Sequence, residues 1–402
     1  MMKLSLKARI QDYFGLKRNI VVLSIAIFVL GLGENLWSEY IPKYLEVLGA
    51  IPLVVGAYGT LKDFIDAIYM YPGGKISDKF GRKKALVTFS ILALVGYVIY
   101  YLSPNWFFVL VGLFFVMAWS SLSLPATFAL IGDSLPKQRR AIGFTVQSIL
   151  KRVPAVLAPP IGGFLILQFG ILEGVRLGLL ITIPLAIFTV LIQMRYYKEE
   201  KEKGVKENID VKHLISKFHP SLKRLLLSDC LIRMCEGIPA VFIILYATNI
   251  IGIDTFQFGF LIGIQMATSI LVYIPIAKLS DRFGRKPFVT LTFVFFSLYP
   301  LFIVVSKDFI WLILAFIIGG LREIGEPPRK AMIVDLAPKE ARGSAIGLYY
   351  LIRGLTVTPA SFIGGLLWLW TPQVPFFTAF LIGIAGTFLF YITVKEKFLP
   401  AE

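Results

Sequence analysis

Two stretches of this chain repeat one another: GGKISDKFGRKKA, Gly73 to Ala85, and IAKLSDRFGRKPF, Ile276 to Phe288. Gly73 and Ile276 lie 203 positions apart. A second pair keeps nearly that spacing: DSLPKQRRAIGF from Asp133 matches DLAPKEARGSAIGL from Asp335, with two residues added in the later copy. Gly162-Gly163 answers Gly364-Gly365, and Glu34 answers Glu236, each pair 202 apart. Self-similarity at one fixed period means that a single architecture is built twice.

What fills each copy is apolar. Of the 402 residues 57% are apolar, well above the share in water-soluble domains, so lipid is the expected solvent. About twenty consecutive apolar residues cross a bilayer, and the sequence predicts spans over 20–46, 52–76, 84–103, 106–131, 141–169, 174–194, 224–252, 256–278, 287–306, 309–334, 344–371 and 375–394. The first is longer than a signal-peptide core and lacks a small-residue cleavage pattern, so it reads as a retained helix. One long polar interval, rich in Lys and Glu, lies near mid-chain and reads as a solvated linker. The expected organisation is a six-helix half over 1–194, a cytoplasmic linker over 195–223 and a second six-helix half over 224–402. Six helices and an intracellular linker return the chain to its starting side, so the halves are parallel repeats. The fold expected is an all-α membrane protein of twelve transmembrane helices, in two pseudo-symmetric six-helix bundles around a central cavity.

The net charge of +16 follows the membrane. With a cytoplasmic N-terminus, roughly thirty of the 41 basic residues fall in the tail, even-numbered loops, linker and C-terminus, as the positive-inside rule requires. Outside there are only Lys43, Arg176 and Lys307. This distribution accounts for the charge without a nucleic-acid partner, and predicts a multi-pass cell-membrane protein with both termini in the cytoplasm. Cys230 and Cys235, five apart on one expected helix, suit neither a disulfide nor a zinc pair. Both histidines, His213 and His219, fall in the linker, so proton chemistry within the membrane is left to carboxylates. No phosphate-binding loop is present, because Gly73-Gly74-Lys75 is followed by Ile76 and lacks the upstream glycine. No enzyme activity, metal or cofactor is expected, and ATP is excluded as the energy source.

The segment from Gly74 to Lys83 is similar to the G-x-x-x-D-x-x-G-R-K/R signature of the major facilitator superfamily, in the loop after the second helix where that family carries it. In the later copy Ala277 stands for the first glycine, while Asp281, Gly284, Arg285 and Lys286 keep the rest. The resemblance covers the whole chain. It implies a latch holding the cytoplasmic side closed in the outward-open state. Asp78 can pair with Arg82, and Gly74 and Gly81 permit close backbone approach and a tight turn. In the fifth helix, Ala158-Pro159-Pro160-Ile161-Gly162-Gly163 resembles the P-x-x-G-G core of the antiporter branches, although Ala158 replaces the usual glycine. Pro159, Gly162 and Gly163 predict a bent helix with a close-packing face. The arginine frequent in the family's fourth helix is absent; Ser120, Ser121 and Ser123 occupy that region, and Arg322 takes the repeat-equivalent place.

Ionisable groups at membrane depth cost several kcal/mol unless they face protein or water. Helices three, six, nine and twelve carry essentially none, and the others should line a cavity. Candidates for proton coupling or substrate contact are Glu34, Asp63, Asp66, Lys151, Glu236, Arg322, Glu326, Arg329 and Arg353. Some of the charges should be structural ion pairs, with Asp229–Arg233 and Lys62–Asp66 the clearest. Spacing of three and four suggests a base-acid-base stripe of Arg322, Glu326 and Arg329 beside Pro327-Pro328. Trp37 and Tyr40 could stack on an organic cation or belong to a membrane-interface belt. The resemblance implies a monomeric secondary transporter moving a small-molecule substrate by alternating access, powered by protons. Its form would be either a drug- or organic-compound exporter, or an importer of a small organic or phosphorylated anion clamped by Lys151, Arg152, Arg322, Arg329 and Arg353.

Overall fold

The computed structural model describes residues 18–134, 140–197, 218–338 and 342–394, and among these all regular structure is helical. Helix α1 runs Arg18–Asn35 and continues through a 3-10 turn, Ser38–Tyr40, into Ile41–Val47. Then come α2 (Pro52–Phe80), α3 (Arg82–Leu102), and α4, which is Trp106–Met117 joined by the π turn Ala118–Leu122 to Ser123–Ser134. The stretch Arg140–Tyr196 is broken at Gly170 (φ 80°) into arms α5 (140–169) and α6 (171–196).

The second series begins with α7, Pro220–Ala240, bent by 43° into Ile243–Ile251. It continues through α8 (Thr255–Phe283), α9 (Lys286–Val305), α10 (Phe309–Leu321 and Glu326–Leu336), α11 (Arg342–Val357 and Ala360–Trp368) and α12 (Val374–Thr393). Each of the twelve expected apolar stretches is thus helical. Among the described residues eight helices are long and apolar enough to cross a membrane, or nine with the bent α7. One of them, Ile149–Tyr196, has 48 residues; at 1.5 Å per residue it is roughly 70 Å long, more than twice the hydrocarbon thickness. The break at Gly170 therefore separates two crossing lengths. Helices α2 and α10 fall outside that set; both carry several ionisable residues, and on α10 Glu326 and Arg329 are buried.

Contacts divide the chain into two compact units, Met1–Leu48 with Ile65–Val205 and Gly49–Phe64 with Lys206–Glu402. The sequence repeat reappears in the backbone. Gly81 and Gly284 have φ of 91° and 87°, and Gly49 and Gly252 have φ of 87° and 83°. Both pairs are 203 apart, at turns whose left-handed conformation glycine alone adopts without strain. Asn105 caps α4 by accepting from the Phe107 amide, and Asp308 caps α10 by accepting from Ile310 and Trp311. In the first unit Gly162 of α5 lies against the Leu36 carbonyl; in the second Gly364 of α11 lies against the Ile238 carbonyl. Each member of that contact is displaced by 202, so the small-residue seam that lets two helices approach closely is present twice.

Candidate functional site

Charge gathers in the second unit where α7, α10 and α11 meet. The sequence of α10 forces a discontinuity there. Pro327 and Pro328 lack amide hydrogens and suit a first helical turn, so a new helix starts at Glu326, and a turn over 322–325 joins it to Phe309–Leu321. Thr292 of α9 fixes the turn by accepting the Gly325 amide. Arg322 closes the preceding helix, its Nε donating to the Gly319 carbonyl at 2.8 Å, and Glu326 opens the next. A cation at a helix C-terminus and an anion at an N-terminus both complement the helix dipole.

On α7, Asp229, Arg233 and Glu236 share a face. Both oxygens of the Glu326 carboxylate accept from Nη2 of Arg329, at 2.9 and 2.8 Å, and Oε1 also accepts from Arg233 at 2.5 Å. Arg329 also pairs with Asp229. Asp229 further accepts from the Tyr349 hydroxyl at 2.9 Å and from Arg353 at 3.3 Å. Glu236 accepts from Arg233 at 2.7 Å and from Arg322 at 3.4 Å, and Lys330 stands 3.9 Å from Glu326. The cluster therefore links three carboxylates to four arginines and one lysine. Asp229, Glu326 and Arg329 are buried, an arrangement that stands only where charges are paired and hydrogen-bonded.

Helix α9 supplies no charge but packs aromatic rings on the cluster. The guanidinium carbons of Arg233 and Arg322 are each 4.9 Å from the Phe296 centroid, and Arg322 is 4.4 Å from that of Tyr299. One ring thus serves two cations, within the range of cation–π attraction.

Several expectations are corrected here. Arg322 and Glu326 form no stripe, because the turn separates them and Arg322 reaches across to Glu236. Asp229 and Arg233 are only loosely joined, 4.0 Å apart; each has nearer partners. The structure brings Glu236, Arg322, Glu326, Arg329 and Arg353 together, with Asp229 and Arg233. Elsewhere, Glu34 of α1 accepts from the Tyr97 hydroxyl of α3 at 2.6 Å, and Asp66 of α2 accepts from Ser121 of α4 at 2.6 Å. Asp63 lies on α2 and Lys151 is exposed on α5. Trp37 and Tyr40 are buried rather than at an interface. Trp37 donates to Thr182 at 3.1 Å and Tyr40 to the Pro159 carbonyl at 2.6 Å.

At the signature loop Arg82 pairs with Asp78 and bonds Ser77 at 3.0 Å, and Gly81 makes the turn. The close approach falls one residue before the expected one: a Cβ on Gly73 would collide with the Leu122 backbone, whereas one on Gly74 would touch Pro125 at an ordinary 3.6 Å. In the later copy Gly284 makes the turn and Arg285 pairs with Asp335; the side chain of Asp281 lies outside what is described. Within α5, Gly162 is the packing glycine, Gly163 follows it buried, and the chain stays helical through Pro159 until Gly170.

The residues missed from sequence are Tyr97, Tyr299, Phe296 and Tyr349. Tyr97 and Tyr299 are themselves 202 apart, and that spacing could have exposed them.

Comparison with known proteins adds the following. The Major Facilitator Superfamily pattern matches residues 23–228 and again 225–401. An uncharacterized MFS-type transporter of Methanocaldococcus jannaschii is 26% identical over 399 residues, covering 94% of this chain and 95% of that protein. A multi-drug resistance efflux pump PmrA homolog of Lactococcus lactis is 22% identical, covering 94% and 93%. Among solved structures, a POT family transporter in complex with 5-aminolevulinic acid superposes with a TM-score of 0.77 at 14% identity, over 93% of this chain and 95% of that one.

Proposed function

The chain belongs to the Major Facilitator Superfamily, so it is a multi-pass membrane transporter and not an enzyme, and from that premise we propose that it is a proton-coupled exporter of small organic compounds. The observation that carries the reading is the position of Glu236. It is the partly exposed one of the cluster's three carboxylates, the other two being buried, and it is held by Arg233 at 2.7 Å and more distantly by Arg322 at 3.4 Å. A proton arriving on Glu236 removes the charge that both guanidiniums face. Arg233 is then drawn toward Asp229 and Glu326, which rearranges the contacts among α7, α10 and α11. A carboxylate whose proton occupancy alters helix packing has what coupling requires. Glu34 occupies the repeat-equivalent position on α1 and would serve the first half, with Asp63, Asp66, Lys151 and Arg353 contributing to the solute path.

Export is supported by the likeness to the Lactococcus pump and by the Pro159–Gly163 segment. The orientation follows from the basic residues, with both termini cytoplasmic, and the Asp78–Arg82 pair would act as the cytoplasmic latch. The protein works as a monomer in this reading.

Reconstituted vesicles test it. With an imposed pH gradient, a panel of organic cations, anions and neutral compounds should show one class moved uphill by the wild type. Glu236→Gln, Glu34→Gln or their combination should abolish uphill movement while downhill exchange survives. Uphill transport retained by all three variants would place coupling elsewhere, and gradient-driven accumulation on the side opposite to export would reverse the direction.

A further inference from the structure

Helix α12 shows which side of the second unit meets lipid. Its residues Phe377, Leu381, Ile384, Phe388 and Tyr391 recur at spacings of four and three and are 43–66% exposed, so they form one stripe along a single face. The other face is buried. Phe390 and Val394 close a core with Leu222 and Leu225 of α7 and with Val289 and Phe293 of α9. The helix has 20 residues, about 30 Å at 1.5 Å per residue, which matches the thickness of the hydrocarbon layer. Tyr391 therefore stands where that layer meets the headgroups.

Positive charge gathers at that end. Lys286, in the first turn of α9, holds its Nζ 5.4 Å from the centre of the Tyr391 ring. From α7, Arg224 donates to the Thr393 carbonyl at 3.1 Å, which uses one of the five donors of a guanidinium, and Lys223 beside it is exposed. Neither α7 nor α9 has an acidic residue in its first turn, and both helices begin here with the positive end of the dipole. Arg285 is paired with Asp335. The first unit reaches the same arrangement from other positions. Arg18 of α1 lies 5.4 Å from the centre of the Tyr196 ring at the end of α6, beyond a run of exposed apolar residues that includes Ile187, Leu191 and Met194. Tyr196 and Tyr391 are 195 positions apart, not 202, so the second pair is not a copy of the first.

We propose that Lys286 and Tyr391, with Arg224, bind the phosphate of an anionic phospholipid whose acyl chain lies along the α12 stripe, and that Arg18 and Tyr196 form a second such site on α6. The chemistry matches part by part. A tyrosine ring fixes the ammonium in place without cancelling its charge, and the phenolic hydroxyl adds a donor to the phosphate. The stripe offers apolar contact alone, which suits an acyl chain. A headgroup that carries its own ammonium would bring a further cation to Lys223, Arg224 and Lys286, so a phosphate without one is preferred. In the orientation proposed above this end faces the cytoplasm, where the leaflet surface is negative; the headgroup preference does not depend on that orientation.

The experiment titrates the full-length protein, delipidated in detergent, with dioleoylphosphatidylglycerol or dioleoylphosphatidylcholine and reads bound lipid and protein mass by native mass spectrometry. Two phosphatidylglycerol molecules should be retained at concentrations where phosphatidylcholine is not. Lys286→Gln should weaken one of them about fivefold and Lys286→Arg should restore it, while Arg18→Gln should weaken the other by a similar factor. Tyr391→Leu, which keeps the stripe apolar at an exposed position, should weaken the first without lowering the melting temperature. Excess inorganic phosphate should displace neither lipid; displacement would overturn the lipid assignment in favour of a free anion. Equal retention of the two lipids, or phosphatidylglycerol unchanged in both Lys286→Gln and Tyr391→Leu, would overturn the site. A doubled protein mass without bound lipid would also overturn it, giving the α12 stripe to a second copy of the chain.

Discussion

Arg329 and Arg322 lie on the same helix seven positions apart, yet their replacement should have opposite consequences. Arg329→Met removes the contacts to Asp229 and to both oxygens of Glu326, leaving two buried carboxylates without the cation between them. Breaking a buried pair by deleting one partner costs about 3–5 kcal/mol. The lower figure applies here, because Asp229 keeps Tyr349 at 2.9 Å and Arg353 at 3.3 Å, and Glu326 keeps Arg233 at 2.5 Å. We therefore expect Arg329→Met to lose about 3 kcal/mol of unfolding free energy. Arg322→Met forfeits one 3.4 Å contact, one bond to a backbone carbonyl and its ring stacking, at a partly exposed site, for roughly 1 kcal/mol. Unfolding by SDS titration in mixed micelles separates the two, and transport in vesicles should show the reverse order once the surviving folded fraction is normalised. A double variant, Arg329→Met with Glu326→Gln, should be less damaged than the sum of its parts by about 1–3 kcal/mol. Equal losses from Arg329→Met and Arg322→Met would refute the division into a structural core and a working edge.

Asp78→Asn should lower transport severalfold with melting nearly unchanged, since the Asp78–Arg82 pair is four apart with Asp78 52% exposed and such pairs contribute about 0.3–0.5 kcal/mol; normal transport by the inserted variant would remove the latch. Gly162→Ala and Gly364→Ala should each destabilise by about 1–3 kcal/mol, because both new methyl groups strike a carbonyl; a tolerated alanine at either position, read by the same titration, would mean that the seam is looser than described. Cysteines placed at Asn105, Asp254 and Gln373 should react with impermeant thiol reagents from outside intact cells and one at Lys203, beyond the described residues, only from inside; labelling at Lys203 from outside would invert the topology.

The fold was legible because duplication wrote it twice. The turn glycines of positive φ and the caps at Asn105 and Asp308 recur 203 positions apart, and the Gly162 and Gly364 seams 202 apart. Charge identity was equally visible: five of the nine candidate residues meet in one cluster. Their pairing was not. Helical spacing put Arg322 on the face of Glu326, but the turn over 322–325 rotates it toward α7, and the prolines announce a break without saying where it falls. That is set by Thr292 and by the packing of Gly325 against α9, contacts from distant sequence. Trp37 and Tyr40 were misplaced for a related reason. An aromatic near a helix end suits an interface, and only the Thr182 hydroxyl and Pro159 carbonyl, over a hundred residues away, make it a core residue. The one-residue difference between Gly73 and Gly74 reflects helix rotation, which composition does not record.

Ser120 and Arg322 occupy one place in two copies of an ancestral half. Among the described residues the serine bonds within its own helix, to Met117 at 3.4 Å, whereas the arginine is tied to Gly319, Glu236 and two rings. The duplicates have therefore specialised while keeping a common scaffold, and their freedom to drift has become unequal. Substitution of Ser120 itself should be tolerated more readily than substitution of Arg322. A chain assembled from two first halves would keep the helical frame and lose the ionic cluster of the second.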